Sequence, residues 1–353
     1  MPQGSVLGPV LFLFYVVEVI QLVLVCGFCP HAFADDLQVY GHALPTDSTK
    51  LLGRLAACIE RVQAWMASNR LLLNSTKTEF IWLGSIRQLQ TCPSAPLYVS
   101  SASILPSQRV RDLGVILDSD LTLTTHVSHI VSVCYFHVRQ LSLIRRSLMA
   151  DTAHVMVHAL IHSRLYYYNG VLSGLPAGQI ARLQGVLRSA ARLVLSLPSC
   201  VPVSAAMHDT LHGLDFPQRI TYELALLVYK CLHGLAPEYL TRACVLLSTL
   251  SDRPHLRSSD DNKLFVPRAF TASMGPWAFC SSGPTSWNTL PARLRHSSLT
   301  LEQFKCLLKG VIVCVTVTAR ALVTVLCYLC VLKCLFIIII IIIIIIIIYT
   351  KIW

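Results

Sequence analysis

The spacing of apolar positions changes several times along this chain. Residues 6–25 are almost wholly apolar, interrupted by Glu18 and Gln21. Such a run is a membrane helix or a buried core helix, and periodicity alone does not separate the two. Residues 26–33 read as a strand, Asp35-Asp36 as a turn and 37–41 as the returning strand. Thr46-Asp47-Ser48 offers helix caps. Leu51, Leu52, Leu55, Cys58, Ile59, Val62, Trp65 and Met66 then recur at helical spacing, the stripe of an amphipathic helix. Residues 71–74 and 79–83 predict strands either side of a turn at Ser75-Thr76-Lys77, 88–108 is a loose stretch rich in proline and serine, and 110–117 predicts one more strand.

Beyond that strand the pattern turns helical. Val127, Ile130, Val131, Cys134, Val138, Leu141, Ile144 and Leu148 form one stripe, and Ile180, Leu183, Leu187, Ala190 and Val194 a second. Ile220, Leu224, Leu227 and Cys231 form a third, behind Pro217 at a predicted first helical position. Residues 251–298 are loop-rich, with Trp277 and Trp287 as anchors. The expected class is α+β: a mixed front half, then a mostly helical second half, with no internal repeat.

The last segment differs in kind. Residues 311–348 are nearly continuous hydrocarbon, broken by Arg320 and Lys333 and ending in twelve consecutive isoleucines. A helix over 334–349 is roughly 24 Å long at 1.5 Å per residue, short of the roughly 30 Å bilayer core. Lys333 can snorkel at one end, and Tyr349, Lys351 and Trp353 suit an interface at the other. A membrane partner through 334–349 is therefore one reading. The other is a trinucleotide repeat translated as codons.

Composition adds charge to this picture. The chain carries 29 Lys+Arg against 18 Asp+Glu, a net +11, with only 13% charged residues. Between 137 and 208 lie Arg139, Arg145, Arg146, Arg164, Arg182, Arg188 and Arg192 and a single acid, Asp151, so seven minus one places +6 in that window. Clustered guanidinium suits a phosphate-rich partner because it pairs bidentately with phosphate. A solvated basic helical face is the plainer alternative. The fourteen cysteines are scattered, which suits free and mostly buried thiols in a reducing compartment.

Few stretches carry chemistry. Cys26-Gly27-Phe28-Cys29 is a C-x-x-C pair, but a redox pair needs a helix N-terminus and a zinc site two further ligands, so buried structural thiols are expected. No G-x-S-x-G elbow and no phosphate-binding glycine loop of the Walker type occurs. Asp35-Asp36 is a candidate metal-binding turn, since two-metal catalysis needs clustered carboxylates. Two aspartates in a turn are, taken alone, most often only a turn.

The surrounding residues change that reading. Met1-Pro2-Gln3-Gly4-Ser5-Val6-Leu7-Gly8-Pro9, followed by Phe33-Ala34-Asp35-Asp36, resembles the PQGS and [YF]ADD motifs of reverse transcriptases, and more narrowly those of non-LTR (LINE-type, jockey-like) retrotransposons. The likeness continues in order. Trp65-Met66 with Leu73-Asn74-Ser75-Thr76-Lys77-Thr78-Glu79 resembles the W…LN..KTE segment, and Val110-Arg111-Asp112-Leu113-Gly114-Val115 the V+.LGV stretch between palm and thumb. Ser163-Arg164-Leu165-Tyr166-Tyr167-Tyr168-Asn169 resembles an S-R-L-D-Y-C-N element, with Tyr166 for its acid and Tyr168 for its cysteine. Later blocks at 190–192, 233–240, 256–260 and 287–295 extend the likeness over about 1–309.

The resemblance implies a partial palm over 1–117, a helical thumb-like and basic region over 118–250, a loop-rich region over 251–310 and a hydrophobic tail over 311–353. It implies an RNA-directed DNA polymerase acting on an RNA/DNA primer–template with deoxynucleotides, located in cytoplasm or nucleus, or at a membrane if the tail inserts. Asp35 and Asp36 would be catalytic and would hold Mg2+, and Lys77 would lie near the departing pyrophosphate. Gln3, Gly4, Ser5 and Phe33 would lie against template and nucleotide, Leu113 and Gly114 near the primer end, and Arg139, Arg145 and Arg146 on backbone phosphate. The family palm also needs an aspartate on an earlier strand and fingers. Before Asp35 the only acid is Glu18, so a truncated copy, inactive by itself, is expected.

Overall fold

The computed structural model describes residues 7–34, 36–198, 200–209, 211, 213–249, 262–268, 275, 277–296, 298–323 and 350–351. The chain divides into two compact units, Met1–His126 with Ile339–Trp353, and Val127–Ile338.

In the first unit, helix α1 (Gly8–Val25) starts with a proline in its first turn and ends where Gly27 adopts a positive φ of 77°. The Phe28 amide then reaches back to the Val23 carbonyl at 3.2 Å, closing the helix end. Cys26 is therefore a helix cap rather than part of the expected strand. One face of α1 is core: Val19 and Val23 are fully buried, whereas Leu13 and Phe14 are exposed. At 18 residues α1 is roughly 27 Å long, below a bilayer core. Among the described residues no helix is long and apolar enough to cross a membrane; residues 334–349 lie outside them.

Strands β1 (Cys29–Phe33) and β2 (Asp36–Tyr40) pair antiparallel, with Phe33 opposite Asp36. Helix α2 (Ser48–Ser68) follows a short 3-10 turn at Pro45–Asp47. Its N-cap is Asp47, without a side-chain cap bond. The predicted stripe is buried from Leu51 to Met66, except that Trp65 is only partly covered. This helix packs with Val19, Val23, Phe28, Leu37 and Val39 in one core.

The next strands are shorter than expected. β3 (Leu72–Leu73) and β4 (Phe80–Ile81) do not pair with each other; β4 runs parallel to β7 (Pro106–Ser107). The stretch expected to be loose contains a short helix α3 (Ile86–Leu89) and a hairpin of β5 (Leu97–Val99) and β6 (Ala102–Ile104). The single strand expected over 110–117 is instead a hairpin, β8 (Arg109–Asp112) against β9 (Val115–Asp118).

Helix α4 spans Thr124–Ile144. In the second unit, α5 (Ala150–Val157) continues through a wider helical turn at His158–His162 into α6 (Ser163–Tyr166). Helix α7 (Ala177–Leu195) buries the second stripe through Leu183, Leu187, Ala190 and Val194. A short α8 (Ser204–Asp209) precedes α9 (Phe216–Leu232). Asp215 caps α9 in a capping box with Gln218, which moves Pro217 to the second helical position. Buried Gln184 joins the two helices, donating to Asp215 Oδ1 at 2.6 Å and accepting from the Phe216 amide at 2.6 Å.

After α10 (Glu238–Thr241), helices α11 (Phe279–Asn288) and α12 (Leu301–Val323) close a core on α9. Of the two expected anchors, Trp287 belongs to this core. Trp287 is 1% exposed and donates to the Asn262 carbonyl, and Trp277 lies so near Gly174 that a Cβ there would overlap its ring. Ten free cysteines are described, of which four are buried and four exposed, so the thiols are less uniformly buried than expected.

Candidate active site

The β1–β2 hairpin sets its side chains by simple alternation. Leu37 and Val39 point into the core, so Asp36, Gln38 and Tyr40 share the opposite face. Register places Phe33 and Asp36 as the pair that closes the hairpin. Asp36 thus begins a strand instead of occupying a turn. The turn begins at Ala34, whose φ is 53°. Phe33 is 61% exposed at this tip, open to a ligand. Gln3, Gly4, Ser5 and Asp35 lie outside the described residues.

A second hairpin braces the first. Gln38 Nε2 donates to Asp112 Oδ1 at 2.5 Å, joining β2 to the end of β8. Asp112 and Val115 are paired, leaving Leu113 and Gly114 as a two-residue loop with φ of 42° and 89°. Two positive φ values define the hairpin turn whose twist matches its strands. Gly114 accepts that conformation freely, whereas Leu113 pays for it in strain. Burial pushes the Asp112 carboxyl above its usual range, and the neighbouring Asp36 raises it further; His31 and the Gln38 bond pull it down. Asp112 lay within the quoted V-R-D-L-G-V stretch, yet the sequence assigned it no role. Its only advance sign was position, at the mouth of a turn that was itself unrecognised.

Lys77 is exposed on a loop that Asn74 organises. Asn74 Oδ1 accepts from the Thr76 amide at 3.1 Å and from Thr76 Oγ1 at 2.7 Å, and the Asn74 carbonyl accepts from Thr78 Oγ1 at 2.9 Å. An asparagine turn of this type fixes the loop locally. Glu18, the acid preceding the hairpin, accepts from Trp65 Nε1 at 2.9 Å. It ties α1 to α2.

Mg2+, which the resemblance implies, takes hard oxygen donors. Asp36 and Asp112 are such donors and suit its chemistry. Among the described residues no group of three His, Cys, Asp or Glu is placed to hold a metal ion.

The arginines in the second unit separate into two kinds. Arg139 and Arg146 are exposed to solvent. Arg145 is engaged with backbone: Nε donates to the Leu193 carbonyl at 2.7 Å, one terminal nitrogen to Val194 at 2.8 Å and the other to Leu148 at 2.9 Å. Those carbonyls include the unsatisfied end of α7, which a cation favours.

The site is thus a short hairpin that presents a carboxylate at the head of its return strand and is braced by a second hairpin through Gln38 and Asp112. Residues 1–117 match the family model for reverse transcriptase (RNA-dependent DNA polymerase). No curated protein matches the chain, and no solved structure does. The matched region is thus similar to a reverse transcriptase domain, and its mixture of helices with short sheets agrees with the α+β expectation.

Proposed function

We propose that residues 1–117 are the later part of a reverse-transcriptase palm of the non-LTR, jockey-like class, followed by a thumb-like helical region over 118–250. The observation that carries this reading is the Gln38–Asp112 bond, which joins the FADD hairpin to the LGV hairpin within the matched region. In this reading Asp36, with Asp35, holds Mg2+, which when bound activates the attacking hydroxyl and steadies the leaving pyrophosphate. Phe33 packs against the incoming deoxynucleotide, Leu113 and Gly114 support the primer end, and Lys77 neutralises the departing phosphates.

We propose further that the chain does not polymerise DNA by itself. Asp36 raises the pKa of the Asp112 carboxyl, which already bonds to Gln38, and Glu18 is engaged with Trp65. Primer extension on an RNA template with purified chain and Mg2+ tests this. The expected result is no incorporation above background. Robust incorporation that disappears in Asp35→Ala overturns it.

Exposed Arg139 and Arg146 favour a second reading, that the chain retains non-catalytic affinity for nucleic acid. Binding should then weaken steeply with salt. Salt-insensitive binding, or none, removes this reading.

A further inference from the structure

The helical unit holds a cavity of about 220 Å3 whose polar wall is Tyr166, Asn169, Arg219, Tyr222, Glu223 and Lys309. Tyr166 ends α6, Asn169 opens the turn that follows, Arg219 and Glu223 lie one turn apart on α9, and Lys309 comes from α12. Two of these residues carry a polar atom, Tyr166 Oη and Asn169 Oδ1, that is buried without a hydrogen-bond partner, and Asn169 is 3% exposed. Leaving such atoms unpaired is unfavourable. A ligand that pairs them removes the cost.

The charges indicate what kind of ligand. Arg219 spends Nε on the Leu214 carbonyl at 3.0 Å and stacks over the Tyr166 ring, which leaves its two terminal nitrogens without a hydrogen bond among the described residues. Two parallel guanidinium N–H donors match the spacing of phosphate oxygens. Lys309 adds a cation and Glu223 an anion, both exposed, so the wall carries one net positive charge. Tyr166 Oη can donate. Asn169 Oδ1 can only accept, so the ligand must also bring a hydroxyl. An atom as buried as Asn169 is reached by a ligand that ends there, not by a strand running through.

We propose that this cavity binds a small phosphate monoester, its phosphoryl oxygens on Arg219, Lys309 and the Tyr166 hydroxyl, with a ligand hydroxyl donating to Asn169. The site owes nothing to the palm and does not depend on polymerase activity.

Calorimetric titration of the full chain at fixed ionic strength tests it, with adenosine 5′-monophosphate, inorganic phosphate, sulfate and a DNA oligonucleotide lacking terminal phosphates as probes. The monophosphate and phosphate should bind saturably at one site, and sulfate, which offers no hydroxyl at neutral pH, more weakly than phosphate. Lys309→Gln should weaken binding about threefold and Glu223→Gln tighten it about threefold, the size expected of one partly exposed charge. Both residues are exposed, so neither change threatens the fold. Tyr166→Phe should weaken binding while the melting temperature does not fall, because the lost hydroxyl is unpaired in the ligand-free chain. The proposal is overturned by any of four results: no saturable binding of either phosphate probe, sulfate equal to phosphate, wild-type affinity in both charge variants, or an oligonucleotide that competes as well as the monophosphate.

Discussion

The guanidinium carbon of Arg219 lies 3.9 Å from the centre of the Tyr166 ring. Tyr166 stands where the similar S-R-L-D-Y-C-N element has an acid, so the sequence presents it as a lost charge. In the structure Tyr166 meets a cation with its ring. Burial lowers the Arg219 pKa and pushes the Tyr166 hydroxyl above its usual range, so a neutral π-face meets the cation. A desolvated pair of this type is worth up to about 2 kcal/mol. Tyr166→Phe keeps the ring and removes a buried hydroxyl that has no partner, so stability in urea should not fall and should rise by up to about 1–3 kcal/mol. Tyr166→Leu removes the ring and should cost about 2 kcal/mol or more. Equal stability of the two variants would show that the stacking contributes nothing.

His162 predicts an acid limit to stability. Its ring lies tilted against Tyr166 with ring centres 5.0 Å apart, and burial holds its pKa down to about 3, with Arg219, His158 and His154 adding repulsion. Its neutral ring is favoured in the folded chain, because the folded pKa is below the unfolded value of 6.5. The unfolded state therefore binds more protons between those limits, and stability falls as pH drops from about 6.5 towards 3. Thermal melts between about pH 7 and pH 4 should show this loss, and His162→Gln should flatten it. An unchanged slope in the variant would assign the loss to other groups.

How much of this was legible in advance depended on the distance between partners in the chain. The α2 stripe from Leu51 to Met66 was readable because helical spacing is local, and those positions are buried as expected except Trp65, which is partly covered. The LGV hairpin was not. Val110, Val115 and Leu117 read as one continuous strand because Leu113, a poor turn former, occupies a left-handed position. The FADD stretch was identifiable by its company of motifs, yet its turn was placed one residue late, since Ala34 takes the positive φ. Gln38 and Asp112 are 74 positions apart, and no local pattern joins them. Charge clustering also could not distinguish Arg145 from Arg146, because the α7 carbonyls that engage Arg145 lie 48 and 49 residues away.

Leu113 should be improvable. A leucine held at a φ of 42° carries strain that asparagine tolerates better. Leu113→Asn would create the Asn-Gly pair preferred by this two-residue turn. We expect about 1 kcal/mol of added stability, read from the urea midpoint at unchanged slope. A lower midpoint would mean that the leucine side chain packs more favourably than its backbone is strained.

The two kinds of arginine should separate cleanly in paired experiments. Arg145→Ala strips hydrogen bonds from three carbonyls and should cost about 1.5–3 kcal/mol of stability, since bonds to a charged donor are the stronger kind. Arg139→Ala and Arg146→Ala remove solvated side chains and should change stability by less than about 0.5 kcal/mol. If the basic helices touch nucleic-acid backbone, each of those two substitutions lowers the slope of log K against log salt by about one. Measured on the same oligonucleotide, Arg145→Ala should leave that slope unchanged in whatever fraction remains folded. A slope lost at Arg145 but kept at Arg139 and Arg146 would reverse the assignment and place the phosphate contact on the residue that caps α7.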